Sequence, residues 1–285
     1  MRPFFSFIAL LFAVSSTAAP APKAILIGID GLAPFAVNEA LTPTLVELGG
    51  HGILDLEGRN CWQKENAHSG QSAPNWATLL TGVSPKVHGV SRNGDSLHKV
   101  ADLQEGAVPS IFGRLKAQDA SLTTAMVNTW KGIGIEKGSI LGRCTESIDH
   151  HFRNDSDKTP AERDELNLAT TLELLNKPQL DFLFLHLGNV DAMGHQNGWN
   201  SAPYQEAVKS IDQSLKMIVT TIKGRDDFAN EDWLLILTSD HGGKGKGHTD
   251  NTLPVIYEVP YLVIRLSADG ATGSLLDDVP KPWTH

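Results

Sequence analysis

The chain has 285 residues, 41% of them hydrophobic and 20% charged. That composition excludes disorder, collagen and coiled coil, and the length suffices to bury a large core in one or two domains. Against 24 lysines and arginines stand 33 aspartates and glutamates, a net charge of −9, which argues against a non-specific grip on duplex nucleic acid or an anionic membrane.

The N-terminus opens with Arg2, an almost purely apolar Phe4 to Val14, and the small residues Ser15 to Ala19. An apolar run of about 11 residues is too short to span a bilayer, which takes about 20, and the pattern is that of a cleaved secretory signal. Residues 1–19 are therefore expected to be a signal peptide, with an uncleaved anchor as the alternative, and residues 20–285 a single exported catalytic domain with no transmembrane segment after cleavage. Only two cysteines occur, Cys61 and Cys144. They rule out a disulfide scaffold or a cysteine-rich zinc fold, though export permits one bridge between them, and Asn154 heads a glycosylation sequon relevant only in a eukaryotic host.

Beyond the signal, short apolar runs alternate with amphipathic ones. Ala24–Ile29, Leu122–Val127, Leu180–Leu187, Trp233–Thr238 and Tyr261–Leu266 read as buried strands, since near-continuous apolar runs need both sheet faces covered. Thr44–Leu48, Val108–Lys116, Pro160–Leu175 and Pro203–Lys223 carry helical spacing; in the last, Val208, Ile211, Leu215, Ile218 and Ile222 share a face. The polar stretch Gly138–Thr159 reads as a surface excursion. Strand and helix in alternation predict an α/β fold, a three-layer α/β/α sandwich around a mostly parallel sheet, and in such sheets ligands gather at the carboxyl ends of the strands.

Those ends are strongly biased in composition. The first apolar strand runs into Asp30-Gly31, the third into a segment containing Asp191 and His195, and the fourth into Ser239-Asp240-His241-Gly242-Gly243, with His248 seven positions after His241. Taken singly, each has a plain explanation: a turn, a helix cap, a surface histidine or a polar loop. Together, six oxygen and nitrogen donors suffice for two divalent cations of the zinc or manganese kind. Gly242–Gly247 is no phosphate loop, because His248 stands where that motif needs lysine.

Ser72, in Gly70-Gln71-Ser72-Ala73-Pro74 just ahead of a helix starting near Asn75, reads either as an N-cap or as a nucleophile beside a helix N-terminus that attracts anions. A metal-free serine esterase is the competing arrangement, with Asp191 or Asp240 and His241 or His248 completing a triad, but Pro74 replaces the last glycine of the usual elbow and several acid–histidine pairs would be left without a role. Trp62, Trp76, Trp130 and Trp199 offer flat faces for a base, packing being the plainer reading of each.

Jointly, Ile27-Gly28-Ile29-Asp30-Gly31, Ser72-Ala73-Pro74-Asn75-Trp76, Leu80-Thr81-Gly82 with Pro85-x-x-His88-Gly89, Asp191-x-x-x-His195 and Ser239-Asp240-His241-Gly242-Gly243 resemble the alkaline phosphatase superfamily, most closely its type I phosphodiesterase/nucleotide pyrophosphatase branch. The resemblance implies that Ser72 is the nucleophile and passes through a phosphoseryl intermediate. Asp30, Asp240, His241 and Ser72 would bind one ion, and Asp191, His195 and His248 the other. Asn93, with the Ala73 N–H, would hold a phosphate oxygen, and His88 would be structural. The substrate would be a small phosphate ester, a diester or nucleotide pyrophosphate ahead of a monoester. For the monoester's additional charge a cationic clamp would be needed, with Lys244, Lys246 and Arg92 as candidates. Two features depart from the branch: serine stands in place of its usual threonine, and its usual long segment before the last histidine is missing. A sulfatase is disfavoured because Trp76 occupies the place of that group's arginine, and a binding protein without chemistry because nucleophile and ligands are all present.

Overall fold

The computed structural model describes residues 19–60, 70–97, 108–142, 145–153, 157–250 and 252–270. The expected signal up to residue 18, Cys61, Trp62, Cys144 and Asn154 lie outside the described residues.

Seven strands form one sheet: β1 (Ala21–Ile29), β2 (Ile53–Arg59), β3 (Thr123–Asn128), β4 (His150–Phe152), β5 (Leu180–Leu187), β6 (Glu231–Ser239) and β7 (Glu258–Ser267), in the order β2-β7-β6-β1-β5-β3-β4. Strands β6, β1, β5, β3 and β4 run parallel, and β7 is antiparallel to both of its neighbours. The helices are α1 (Pro43–Gly49), α2 (Ser72–Thr81), α3 (Pro85–His88), α4 (Ile111–Gln118), α5 (Pro160–Leu175), α6 (Asn189–Asn197), α7 (Ala202–Lys223) and α8 (Pro254–Tyr257).

Side-chain alternation on the central strands builds two cores. Ile25, Ile27 and Ile29 of β1 and Leu183, Leu185 and Leu187 of β5 face Leu45 and Leu48 of α1, Leu174 and Leu175 of α5, and the apolar stripe of α7. Leu26, Phe182 and Phe184 face the opposite way, onto Trp76, Ala77 and Leu80 of α2 and Phe112 of α4. The result is the expected three-layer sandwich. Strands covered on both sides read as continuous apolar runs, whereas β7, near the edge, alternates buried with half-buried residues. The helix α7 also buries Asp212, whose carboxylate accepts from the Thr44 and Leu45 N–H groups (3.1 and 2.9 Å), capping α1 from across the layer.

Strands β2 and β4 were not expected. The second falls inside the stretch read as a surface excursion, which also buries Ile140, Leu141 and Ile148. No helix among the described residues is long and apolar enough to cross a membrane.

Candidate active site

Parallel pairing of β1 with β5 and β6 brings three strand ends level, with Ile29 opposite both Leu187 and Ser239. Asp30, the start of α6 and Asp240-His241 therefore emerge side by side. Two glycines permit the close packing. A Cβ on Gly28 would lie 2.5 Å from the Trp76 ring, and Gly31, at φ +75°, would place a Cβ 2.9 Å from Asp191 Cα. Ser72 arrives from the other core as the first residue of α2; Gln71, not Ser72, stands at the N-cap, so the serine hydroxyl is not spent on capping.

All eight expected residues meet here. Asp30, Ser72, Asn93, Asp191, His195 and His248 line a cleft of about 190 Å3, with Asp240 and His241 buried beside Asp30. The donor atoms of Asp30, Asp240 and His241 lie within 4.8 Å of one another, as do those of Asp191, His241 and His248. The expected second triad is equally close: His195 Nε2 is 3.5 Å from Asp191 Oδ1 and 3.0 Å from His248 Nε2, and His248 Nε2 is 3.9 Å from Asp191 Oδ1.

Hydrogen bonds behind the histidines fix their chemistry. His241 Nδ1 meets the Gly242 carbonyl at 2.9 Å, His195 Nδ1 the Lys246 carbonyl at 3.1 Å, and His248 Nδ1 the Gly70 carbonyl. A carbonyl only accepts, so each ring donates from Nδ1 and, when neutral, turns a bare Nε2 lone pair into the cleft. Two such lone pairs, those of His195 and His248, face each other at 3.0 Å; without a positive centre between them that contact is repulsive. The carboxylates repeat the pattern. Asp30 Oδ1, Asp191 Oδ1 and Asp240 Oδ2 are buried without a hydrogen-bond partner. Buried oxygens are rarely left so, and unpaired oxygens beside bare imidazole nitrogens fit divalent cations.

Electrostatics gives the same answer. Burial pushes Asp191 up to about 8, with help from the Asp30 charge, and raises Asp240 well above the usual range, reinforced by Asp30 and Asp191. For Asp30 burial also pushes upward, but the hydrogen bond from His186, the charges of His241 and His186, and the Trp76 indole outweigh it and hold the group at about 2. Burial, then the neighbouring His248, takes His241 down to about 3. Three carboxylates this close cannot all ionise without cations among them.

The outer contacts explain how the ligands keep their places. Trp76 Nε1 donates to Asp30 Oδ2 at 3.3 Å and His186 Nε2 lies 3.2 Å from the same oxygen, its ring edge-on to Trp76. Asn60 and Asn75 both donate to the Asp240 carbonyl (2.9 and 2.8 Å). Trp199 packs edge-on to His195 and His248 and donates to the Gly31 carbonyl. Trp76 and Trp199 are thus support, whereas Trp130 lines the cleft. His88, between Thr78 Oγ1 and the Val90 N–H, is structural as expected. His186 escaped the sequence reading because it sits inside an apolar strand; its signal is the register, opposite Gly28.

Two expectations need correction, and the disfavoured triad is not formed. The Ala73 N–H is committed to Asn93 Oδ1 at 3.0 Å, so it anchors Asn93, and the NH2 end of that amide is the donor left for a ligand. The triad is not assembled: Ser72 Oγ lies 3.2 Å from His241 Nε2, but Nδ1 of His241 and of His248 is taken by a backbone carbonyl instead of a carboxylate. The clamp candidates are also misplaced, since Lys244, Lys246 and Arg92 are not among the described residues lining the cleft.

The chain is similar to several known proteins. The mouse protein ectonucleotide pyrophosphatase/phosphodiesterase family member 3 is 25% identical over 229 residues, which cover 78% of this chain and 25% of that protein; the chain thus spans about a quarter of its relative's length. Murine ectonucleotide pyrophosphatase/phosphodiesterase 5, solved in an inactive form in complex with AMP, superposes with a TM-score of 0.56 at 18% identity, over 78% of this chain and 57% of that one. The C-terminal periplasmic domain of EptC from Escherichia coli, in complex with Zn, gives a TM-score of 0.60 at 16% identity, over 90% and 75% respectively. The family model for type I phosphodiesterase/nucleotide pyrophosphatase matches residues 24–252, a span holding every strand but the last and all the site residues above, and the chain belongs to that family.

Proposed function

We propose that the chain is a metal-dependent phosphoric ester hydrolase acting on diesters or nucleotide pyrophosphates, with Ser72 as its nucleophile. The observation that carries this reading is the convergence of three histidine Nε2 lone pairs and three carboxylate oxygens without hydrogen bonds in one site, with the Ser72 hydroxyl 3.2 Å from one of those nitrogens. Asp30, Asp240, His241 and Ser72 would hold one divalent cation, and Asp191, His195 and His248 a second, zinc or manganese. When bound, such a pair acidifies a hydroxyl and offsets the charge that builds on phosphoryl oxygens.

The chain's own residues supply position. The helix α2 presents Ser72 Oγ to the cleft, from which it attacks phosphorus as its proton passes to solvent; a Ser–O–P bond forms as the bond to the departing alkoxide or phosphate breaks, and water then hydrolyses the phosphoserine and restores the hydroxyl. Asn93, pinned by the Ala73 N–H, offers its NH2 to a non-bridging oxygen as charge develops there. Asp30 stays ionised because His186 and Trp76 hold its second oxygen. Three carboxylates against two divalent cations leave one positive charge in the site, which suits a phosphate even on an acidic chain.

Ser72→Ala tests the covalent step. It should lower turnover of bis(4-nitrophenyl) phosphate by at least about 10^3-fold while metal content stays near that of wild type. A variant retaining most activity would end the proposal of a phosphoseryl intermediate; wild-type turnover that survives a chelator would end the metal reading. The same view takes residues 1–19 as an export signal, on the strength of the Phe4 to Val14 run. The N-terminal residue of the mature protein checks it.

A further inference from the structure

One cation faces the cleft. Arg163, on the first turn of α5, is the only lysine or arginine among the described residues that line it, together with Ser72, Asn93, Thr129 and Trp130. Its Nε is sealed from solvent and has no hydrogen-bond partner. A buried guanidinium N–H is costly to leave unmade, and arginine's planar fork is shaped for two oxygens of one anion. Two of the other candidates are engaged elsewhere. Arg92, with a side chain 77% exposed, lies 3.5 Å from Asp95, and Lys246 donates to the Gln196 carbonyl at 2.7 Å.

The position of Arg163 is fixed by its neighbour. The buried Asp164 carboxylate accepts from the Gly188 N–H (3.0 Å), the Asn189 N–H (2.8 Å) and Thr129 Oγ1 (2.6 Å), and Asn167 donates to the same Thr129 oxygen at 2.9 Å. Gly188 and Asn189 open α6, the helix that carries Asp191 and His195. The first turn of α5 is thereby bolted to the helix bearing half of the candidate ligands, so Arg163 keeps a set distance from the reacting centre.

We propose that Arg163 binds a second anionic oxygen of the substrate and so favours phosphate esters carrying more than the single charge of a simple diester. This rests on the phosphoric ester hydrolase reading above. The argument is one of charge: Arg163 adds a second positive charge to the single one left by two divalent cations and three carboxylates. A plain diester brings one negative charge, and a matched ligand brings two. The additional charge sits either on the phosphorus attacked, as in a monoester, or on an adjoining phosphoryl group, as in a pyrophosphate.

Three substrates separate the cases: bis(4-nitrophenyl) phosphate with one charge, 4-nitrophenyl phosphate with the second charge on the same phosphorus, and ATP with it on the next. Arg163→Met should lower kcat/KM by about 10- to 100-fold, the value of a hydrogen-bonded charge, on 4-nitrophenyl phosphate or on ATP. Bis(4-nitrophenyl) phosphate should change by less than about threefold, and Arg163→Lys should fall between the two on the affected substrate. Whichever multiply charged substrate is lost identifies where the second charge sits. A uniform loss on all three, or no loss on any, overturns the role, and unchanged metal content and melting temperature confirm that each variant is folded. A wild type that turns over none of the three overturns the hydrolase reading as well; a wild type active on them with parallel variant profiles overturns only the role of Arg163.

Discussion

The same sheet buries charge at both of its ends and treats it in opposite ways. At the amino ends of β1, β5 and β6 lie Lys23, Asp181 and Glu231, with Arg225 from the loop after α7. Arg225 grips Glu231 through two bonds (2.6 and 2.7 Å), Trp233 Nε1 donates to the same carboxylate at 2.9 Å, and Lys23 divides its protons among the Pro178 and Leu180 carbonyls and Asp181. Two cations meet two anions and the cluster is closed. At the carboxyl ends of the same three strands, three carboxylates meet no lysine or arginine among the described residues, and an oxygen of each is left bare. Burial alone does not mark a functional site, since both clusters are buried. What marks it is the failure to close.

Removing a carboxylate from each end turns the contrast into numbers. Asp240→Asn at the open end should cost at least about 10^3-fold in turnover, with loss of bound metal. Metal-free stability should change far less than at the closed end, because burial and the neighbouring Asp30 and Asp191 already raise that carboxyl well above its usual range and so disfavour its charge. Added metal should then raise the melting temperature of wild type and not of the variant. At the closed end Glu231→Ala strands Arg225 in the interior and should cost roughly 3–5 kcal/mol in urea denaturation, with kcat/KM of the folded protein unchanged. If the two variants behave alike, the open cluster is merely another structural ion network.

The difference between the ends also decides what could be read without coordinates. Acids and histidines gathered straight after three apolar strands are more than turns or caps require, so Asp30, Asp240 and His241 stood out, and the parallel sheet predicted that they would converge. His186 did not, because a lone histidine within Leu180–Leu187 changes the apolar run by one letter. Arg163 was hidden for the opposite reason: among the acids and bases of Pro160–Leu175 it is one more charge on a helix face that reads as solvated. Strand β2 sits at the sheet edge with only Gly58 fully buried, and β4 has three residues. Neither is long or apolar enough for periodicity to register. What stayed hidden is what depends on partners distant in sequence.

The smallest effect expected is also the one most specific to the contrast, a difference in sign on changing pH. A carboxyl whose folded pKa is raised keeps its proton after the unfolded chain has released one, so folding is progressively disfavoured as pH climbs between the two values. In metal-free protein Asp191, pushed up to about 8 against an ordinary 3.8, should erode stability steadily from near pH 4 to near pH 8. For Glu231 burial pushes upward but the Arg225 and Trp233 hydrogen bonds and the charges of Arg225 and Lys23 win, so its folded value lies below the usual 4.5. Its contribution is complete above that value and is lost as pH falls below it. Metal-free wild type should therefore decline clearly only between about pH 6.5 and 8: below that the loss at Asp191 is opposed by His241, whose folded value of about 3 lies under its usual 6.5, and in more acid solution Glu231 and Asp30, the latter held at about 2, both lose their contributions. Denaturation midpoints from about pH 3 to 9, repeated on Glu231→Ala, check the assignment: the variant should make the acid limb shallower, leaving the share of Asp30 and His241, and keep the alkaline limb in place. Saturating metal should remove the alkaline decline, since a cation then takes the proton's place on the open carboxylates; an alkaline decline that metal leaves unaltered would mean that the bare oxygens at this edge are not its ligands.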